Sequence, residues 1–212
     1  MDASLCYDHG MHALGRLLCL IGVLLVASVS LAAGRARADG AVSVLPVVVH
    51  VAREAGAEVA SEAFVTQQLA RASEIFAPYG VRFSLRETLV GPEPTRMETR
   101  ADRDSLAVHV RPGVINCFVV ASLRDVDEPS RMRRGVHWHS KLKPGAHYVI
   151  LSAISEPEVL AHELGHFLGN PQHSDTPGNL MSYTRGEGPP FLNHAQQRRV
   201  HAAIRGYVRR KE

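Results

Sequence analysis

Cysteine is scarce in this chain. Among 212 residues there are three, Cys6, Cys19 and Cys117. Two of them fall in the N-terminal segment that is read below as a removable signal, so no intrachain disulfide can hold the remainder together. Charge of one sign is also lacking: 24 Lys and Arg against 21 Asp and Glu leave a formal net charge of +3. That balance says little about partners. The basic residues that do gather, Arg131, Arg133 and Arg134 and the C-terminal "RRKE", come with no binding motif, so they are read as solvated surface and no nucleic-acid partner is expected. Past the first forty residues there is no internal repeat, no low-complexity tract and no long apolar run. At 45% hydrophobic residues the composition is that of a folded globular protein.

The one long apolar run covers residues 17–33, with Arg16 before it and small residues after it. It ends in Ala36-Arg37-Ala38, an A-x-A pattern. A positive start, an apolar middle and such an end describe a secretory signal peptide over residues 1–38, with a mature chain that starts at Asp39. Met11 is a more natural start than Met1, since it shortens the n-region. An uncleaved membrane anchor is the alternative, because the run just reaches spanning length. The A-x-A site and the lack of any other apolar span favour cleavage. The expected location is therefore secreted or periplasmic, with no membrane association afterwards. Residues 39–212 suffice for a single core. Cys117, alone within "VINCFVVASL", reads as a small buried hydrophobe.

Patterning then gives the elements. "VSVLPVVVHVA" (residues 42–52) is β-branched and predicts a strand. "SEAFVTQQLARASEIFAPYG" has Phe64, Leu69, Ile75 and Phe76 near helical spacing and ends at Gly80, which predicts an amphipathic helix. "VRFSLRE" alternates Val81, Phe83 and Leu85 inward as a second strand, and residues 91–104 read as an exposed, charged loop. Three more strands are predicted in "INCFVVASL", "GVHWHS" and "HYVILSA". A helix follows, with Ser155 and Glu158 spaced as a capping box, Pro157 in its first turn and Gly169 at its end. A terminal helix places Val200, Ile204 and Val208 on one stripe. The order β-α-β-β-β-β-α-loop-α is that of an α+β domain, not a doubly wound sheet.

The chemistry concentrates in "HELGHFLGNPQH". His162 and His166 are four apart on the predicted helix, so their imidazoles leave one face a turn apart and can reach one zinc ion. Glu163, beside the first, can accept a proton from an activated water. Gly169 allows a sharp turn that brings a third ligand back. His173 follows in that turn, and "NLMSY" places Met181 and Tyr183 shortly after it.

These residues resemble the metzincin clan of zinc endopeptidases, whose pattern is HExxHxxGxxH followed by a Met-turn. "LMSY" is similar to the astacin and serralysin branches, and matrixin-like enzymes share the general plan. The motif resemblance covers residues 155–183, and the strand-helix order extends it more weakly over the mature chain. It implies a zincin-like catalytic domain over residues 39–212: a small mixed sheet, an active-site helix, a Met-turn and a C-terminal helix. The implied ligands are His162, His166 and His173 on Zn2+, with Glu163 as general base. Met181 would be an apolar floor, and Tyr183 would ligate zinc or bond the oxyanion. The family position for the third ligand is occupied by Gln172, a poor zinc ligand. The extra residue lies in "NPQ", where Asn170 precedes Pro171 and is biased to extended geometry, so a loop can absorb it. His173 is preferred and Asp175 is the alternative.

His137 and His139 flank Trp138 and would share one face of a strand. With no further ligand at obvious spacing they are read as a surface pair on an edge strand, which could still pair with an extended substrate. His50, His109, His147, His194 and His201 carry no pattern. Glu187, the nearest candidate for a gluzincin-type ligand, sits among Gly and Pro and cannot be helical. The expected activity is peptide hydrolysis on protein or peptide substrates; the alternative is a non-catalytic zinc- or peptide-binding module of the same fold. The first strand starts where the signal ends, leaving no useful pro-segment, so control is expected from export, metal supply or a separate inhibitor.

Overall fold

The first strand explains why the sheet is buried from both sides. In the computed structural model, which describes residues 42–209, β1 spans Ser43–Val51 and Val47 through Val51 are all buried. A run of β-branched residues without polar alternation is what a strand covered on both faces requires. β3 (Ile115–Val120) is likewise buried at all six positions. The signal-peptide expectation, residues 1–38, lies outside the described residues.

The five-stranded sheet is completed by β2 (Val81–Val90), β4 (Gly135–His139) and β5 (His147–Ser152), in the order β2-β1-β3-β5-β4. All neighbours are parallel except β4, which runs antiparallel to β5 at the edge. Leu85 does not follow the inward alternation expected of it. It is exposed, and the pairing of β1 with β2 shifts between Val47 and Val48, past the point where β2 leaves the core. The bulge breaks the period of two on which the expectation rested.

One face of the sheet packs on helices α1 (Glu62–Phe76), α3 (Val159–Phe167) and α4 (His194–Arg209). Ser61 caps α1 by accepting from the Phe64 N–H, and Gly80 closes the following turn at φ 69°. The other face is covered by the segment whose composition reads as an exposed loop. It contains a two-residue strand, Arg96–Met97, and a helix, α2 (Arg100–Ser105), held by a reciprocal capping box between Thr99 and Asp102. Met97 and Leu106 are buried there against Phe118 and Tyr148. The charges point outward while a few apolar residues cover the sheet, too sparse a pattern to register as amphipathic.

The Ser155–Glu158 capping box does not form. Helix α3 begins at Val159, with Glu158 as its N-cap and no side-chain cap bond. Ser155 instead donates to the Arg134 carbonyl at 2.5 Å, and Gln68 accepts from the Leu160 N–H at 3.2 Å, which satisfies the helix start from a neighbouring helix.

Candidate metal centre and active site

Helix α3 is short and its placement is fixed by Leu160, Ala161, Leu164 and Gly165, all buried. That leaves His162 and His166 one above the other at the border of the buried face. Each ring is oriented from behind. His162 Nδ1 donates to the Leu180 carbonyl and His166 Nδ1 to the Asn170 carbonyl, both at 2.7 Å. A carbonyl only accepts, so each proton sits on Nδ1 and each Nε2 presents a lone pair.

The reversal after the helix is built at Gly169, which adopts φ 94° and donates its N–H to the His166 carbonyl. Buried Asn170 fastens it, with its N–H and Nδ2 both donating to the Gly165 carbonyl at 3.1 and 3.2 Å. Pro171 and Gln172 bulge outward, exposed. The Ser174 N–H then bonds the Met181 carbonyl at 2.8 Å and carries the chain back over the helix. As a result His173 Nε2 stands 3.2 Å from His166 Nε2. The ring centres of His162, His166 and His173 are 4.8–5.3 Å apart. Asp175 is exposed and lies outside this group.

Met181 is fully buried beneath the helix. A Cβ on Gly165 would come within 2.4 Å of its sulfur, so the glycine permits this contact. The segment carrying Met181 is tied to α4 by an amide pair: Asn179 Nδ2 donates to Gln196 Oε1 at 2.8 Å, and Gln196 Nε2 donates back to Asn179 Oδ1 at 3.0 Å.

The donor set fits a zinc ion. Nitrogens on a tetrahedral zinc with bonds of 2.0–2.1 Å lie roughly 3.3 Å apart, and the His166–His173 pair already stands near that separation. Burial, then the neighbouring imidazole, holds His162 down to about 4; burial also lowers His166 and His173, so all three favour the neutral form that ligates metal. Glu163 is only 6% exposed, and burial lifts its carboxyl up to about 8 against the opposing pull of the His137 backbone N–H. Gly135 makes room for it: a Cβ there would meet Glu163 Oε1 at 3.0 Å.

Tyr183 is 70% exposed, with its ring centre 4.4 Å from that of His173 and 5.7 Å from that of His162. Burial raises its phenol, against the pull of the Arg133 guanidinium nearby. Arg133 is solvated, as the composition implies, with a side chain 40% exposed, and it also stands at the site, anchored by Asp125 at 2.5 Å. Asp125 also accepts the Asp127 and Glu128 N–H groups, which, led by Asp127 and helped by Arg133, hold its carboxyl at about 2. A run of arginines carries no period from which such a placement could be read. A cleft of about 430 Å³ opens beside these groups, lined by Arg133, Gly135, Val159, Glu163, Leu180 and Tyr183 among others.

His137 and His139 do lie on an edge strand, with His139 exposed, but the reading that no further ligand stands near them needs correction. The antiparallel register sets His139 opposite His147, and His137 Nε2 lies 2.8 Å from His147 Nδ1. Burial, followed by the adjacent imidazoles, pushes His137 down to about 3. His147 had no visible role because the length of a hairpin loop does not by itself fix which residues face each other.

No family model and no curated protein matches the sequence. Solved structures do match in fold. The chain superposes on metalloproteinase-II from Bacteroides fragilis with a TM-score of 0.51 at 17% identity, covering 77% of this chain and 54% of that one. It therefore spans about half the length of that protein. Tannerella forsythia mature mirolysin, in complex with a cleaved peptide, gives 0.57 at 15% identity, covering 80% and 96%. Archaemetzincin from Methanopyrus kandleri gives 0.50 at 13%, covering 80% and 99%. The domain thus has the α+β fold of zinc metallopeptidases.

Proposed function

We propose that this chain is a secreted, zinc-dependent endopeptidase of the metzincin type, with His162, His166 and His173 holding the metal. The observation that carries this reading is the convergence of three imidazole nitrogens beside a buried carboxyl at the mouth of a cleft. Asp175 is set aside as a ligand because the Ser174–Met181 backbone bond brings His173, not its neighbours, back to the helix. Met181 serves as the floor of a Met-turn, and the secretory signal over residues 1–38 supplies export.

Zinc, when bound, supplies Lewis acidity: it makes water a stronger acid and draws electron density from a peptide carbonyl. The remaining work falls to the chain. Glu163 takes the proton from the attacking water at its carboxylate and delivers it to the departing amine. Its upward shift suits a group that must hold a proton and release it near neutral pH, while a cation held by the adjacent imidazoles favours its ionised form. Tyr183 donates from its hydroxyl to the oxygen that gains charge, and Arg133 positions that phenol. The edge of β4 pairs with the extended backbone of a protein or peptide substrate, and the cleft receives a substrate side chain.

Glu163→Ala tests the reading, with casein digestion and metal content measured together. Hydrolysis should fall by about 10²–10⁴-fold while zinc is retained. A variant that digests casein at the wild-type rate would leave a non-catalytic metal- or peptide-binding module as the better description.

A further inference from the structure

We infer that His137, His139 and His147 form a second metal site, which binds zinc and braces the edge strand β4 against β5. The placement follows from strand geometry. His137 and His139 are two apart on β4 and therefore share a face, and His147 on β5 is the direct cross-strand partner of His139. An antiparallel pair so arranged delivers three imidazoles to one point. Their ligand nitrogens all lie within 4.8 Å of one another, as those of the first triad do.

The dimensions match those of the helix-borne group closely. Ring centres are separated by 4.6 Å for His137–His139, 5.1 Å for His137–His147 and 5.3 Å for His139–His147. His137 Nε2 and His147 Nδ1 stand 2.8 Å apart, and the ring of His139 stacks on that of its cross-strand partner His147 with an interplanar angle of 8°, so the third imidazole is held beside the pair. The donor set is three imidazoles with no thiolate or carboxylate, which suits zinc and other borderline divalent ions rather than calcium or magnesium.

The surroundings suggest a structural role. Phe167 stacks on His147 at 4.2 Å and meets His137 edge-on at 5.6 Å. Phe167 directly follows His166 and ends α3, so the strand-borne group abuts the end of the helix that carries HELGH. The same strand presents Gly135 and the His137 N–H to Glu163. A metal at this position ties β4 to β5 and keeps that wall of the cleft in register.

Zinc content of the full chain, measured by elemental analysis after equilibration with zinc and removal of excess, provides the test. The wild type should hold two equivalents. His139→Ala, at an exposed position, and His162→Ala should each hold one, and the double variant none. His139→Ala should also lower Tm relative to wild type in zinc but not in chelator, a difference that a merely packed histidine would not produce. In His162→Ala loaded with cobalt(II), the visible band of a low-coordinate site should remain, which tests the strand triad even if the His139 variant folds poorly. A wild type that holds one equivalent with His162→Ala holding none, or two equivalents retained in His139→Ala, would overturn the inference. A single equivalent that survives His162→Ala but not His139→Ala would uphold it while removing the proposed catalytic centre.

Discussion

The helix-borne and strand-borne triads have nearly the same dimensions, with ring centres 4.8–5.3 Å apart in one and 4.6–5.3 Å in the other. What differs is their company. His162, His166 and His173 stand beside buried Glu163 and the phenol of Tyr183, and His162 opens onto the cleft. His137, His139 and His147 have an aromatic ring, Phe167, as their neighbour and do not line that cleft. Three imidazoles suffice to hold a metal. Hydrolysis further needs a proton carrier and room for a substrate, and of the two triads it is the first that stands beside a buried carboxyl and a cleft.

The sharpest way to break this contrast is to remove the carboxylate that distinguishes the two groups. Glu163→Ala should lower peptide hydrolysis by about 10²–10⁴-fold with zinc content unchanged. Loss of zinc from that variant would show Glu163 to be a ligand and erase the distinction. The ligand set itself comes next. His173→Ala should weaken zinc binding at the helix site by about 100-fold or more, since it deletes a metal bond where even supporting contacts are worth 10–100-fold. Gln172→Ala should leave affinity unchanged and Asp175→Ala should alter it at most modestly, as read by titration against a competing chelator. If Asp175→Ala strips the metal while His173→Ala keeps it, the helix site is a His-His-Asp centre.

A smaller effect belongs to the floor of the helix-borne site. Gly165→Ala should cost about 1–3 kcal/mol of stability, because its methyl would collide with the Met181 sulfur at 2.4 Å; urea unfolding measures it. The Met181→Ala background should relieve that clash, and a Gly165→Ala penalty that persists there in full would disprove the contact. The last prediction concerns Asp125, which anchors Arg133 beside Tyr183. Its folded carboxyl sits at about 2, below the usual 3.8. The unfolded chain therefore takes up the proton first, so the stability it contributes is complete above about pH 4 and is lost as pH falls through 2. Asp125→Asn should destabilise the metal-free protein by about 1–2 kcal/mol at pH 7, and the gap from wild type should narrow on acidification. A gap that is the same at pH 7 and pH 2.5 would contradict the anchoring role.

Much of the helix-borne site was legible because its order is local. The four-residue spacing of His162 and His166 is set by helical pitch, and Gly169 marks a reversal that an L side chain would resist. Strands rich in Val and Ile were equally plain, since β1 and β3 are buried on both faces. That His173 rather than Gln172 or Asp175 returns to the helix depended on one long-range backbone bond, from the Ser174 N–H to the Met181 carbonyl, which no spacing encodes. The start of α3 falls later than the local pattern implies: the Ser155 hydroxyl is taken by the Arg134 carbonyl, and Gln68, far away in sequence, accepts from the Leu160 N–H. Arg133 gained its place through Asp125, and His147 through the register of β4 on β5. The sequence by itself thus determined the types of the main strands and helices, the α+β order and the pairing of His162 with His166 on one helix face, because these follow from periodicities of 3.6 and 2 along the chain. Only the tertiary structure decided the third imidazole, the buried setting of Glu163 and the whole of the strand triad, because each depends on which distant residues come to face one another.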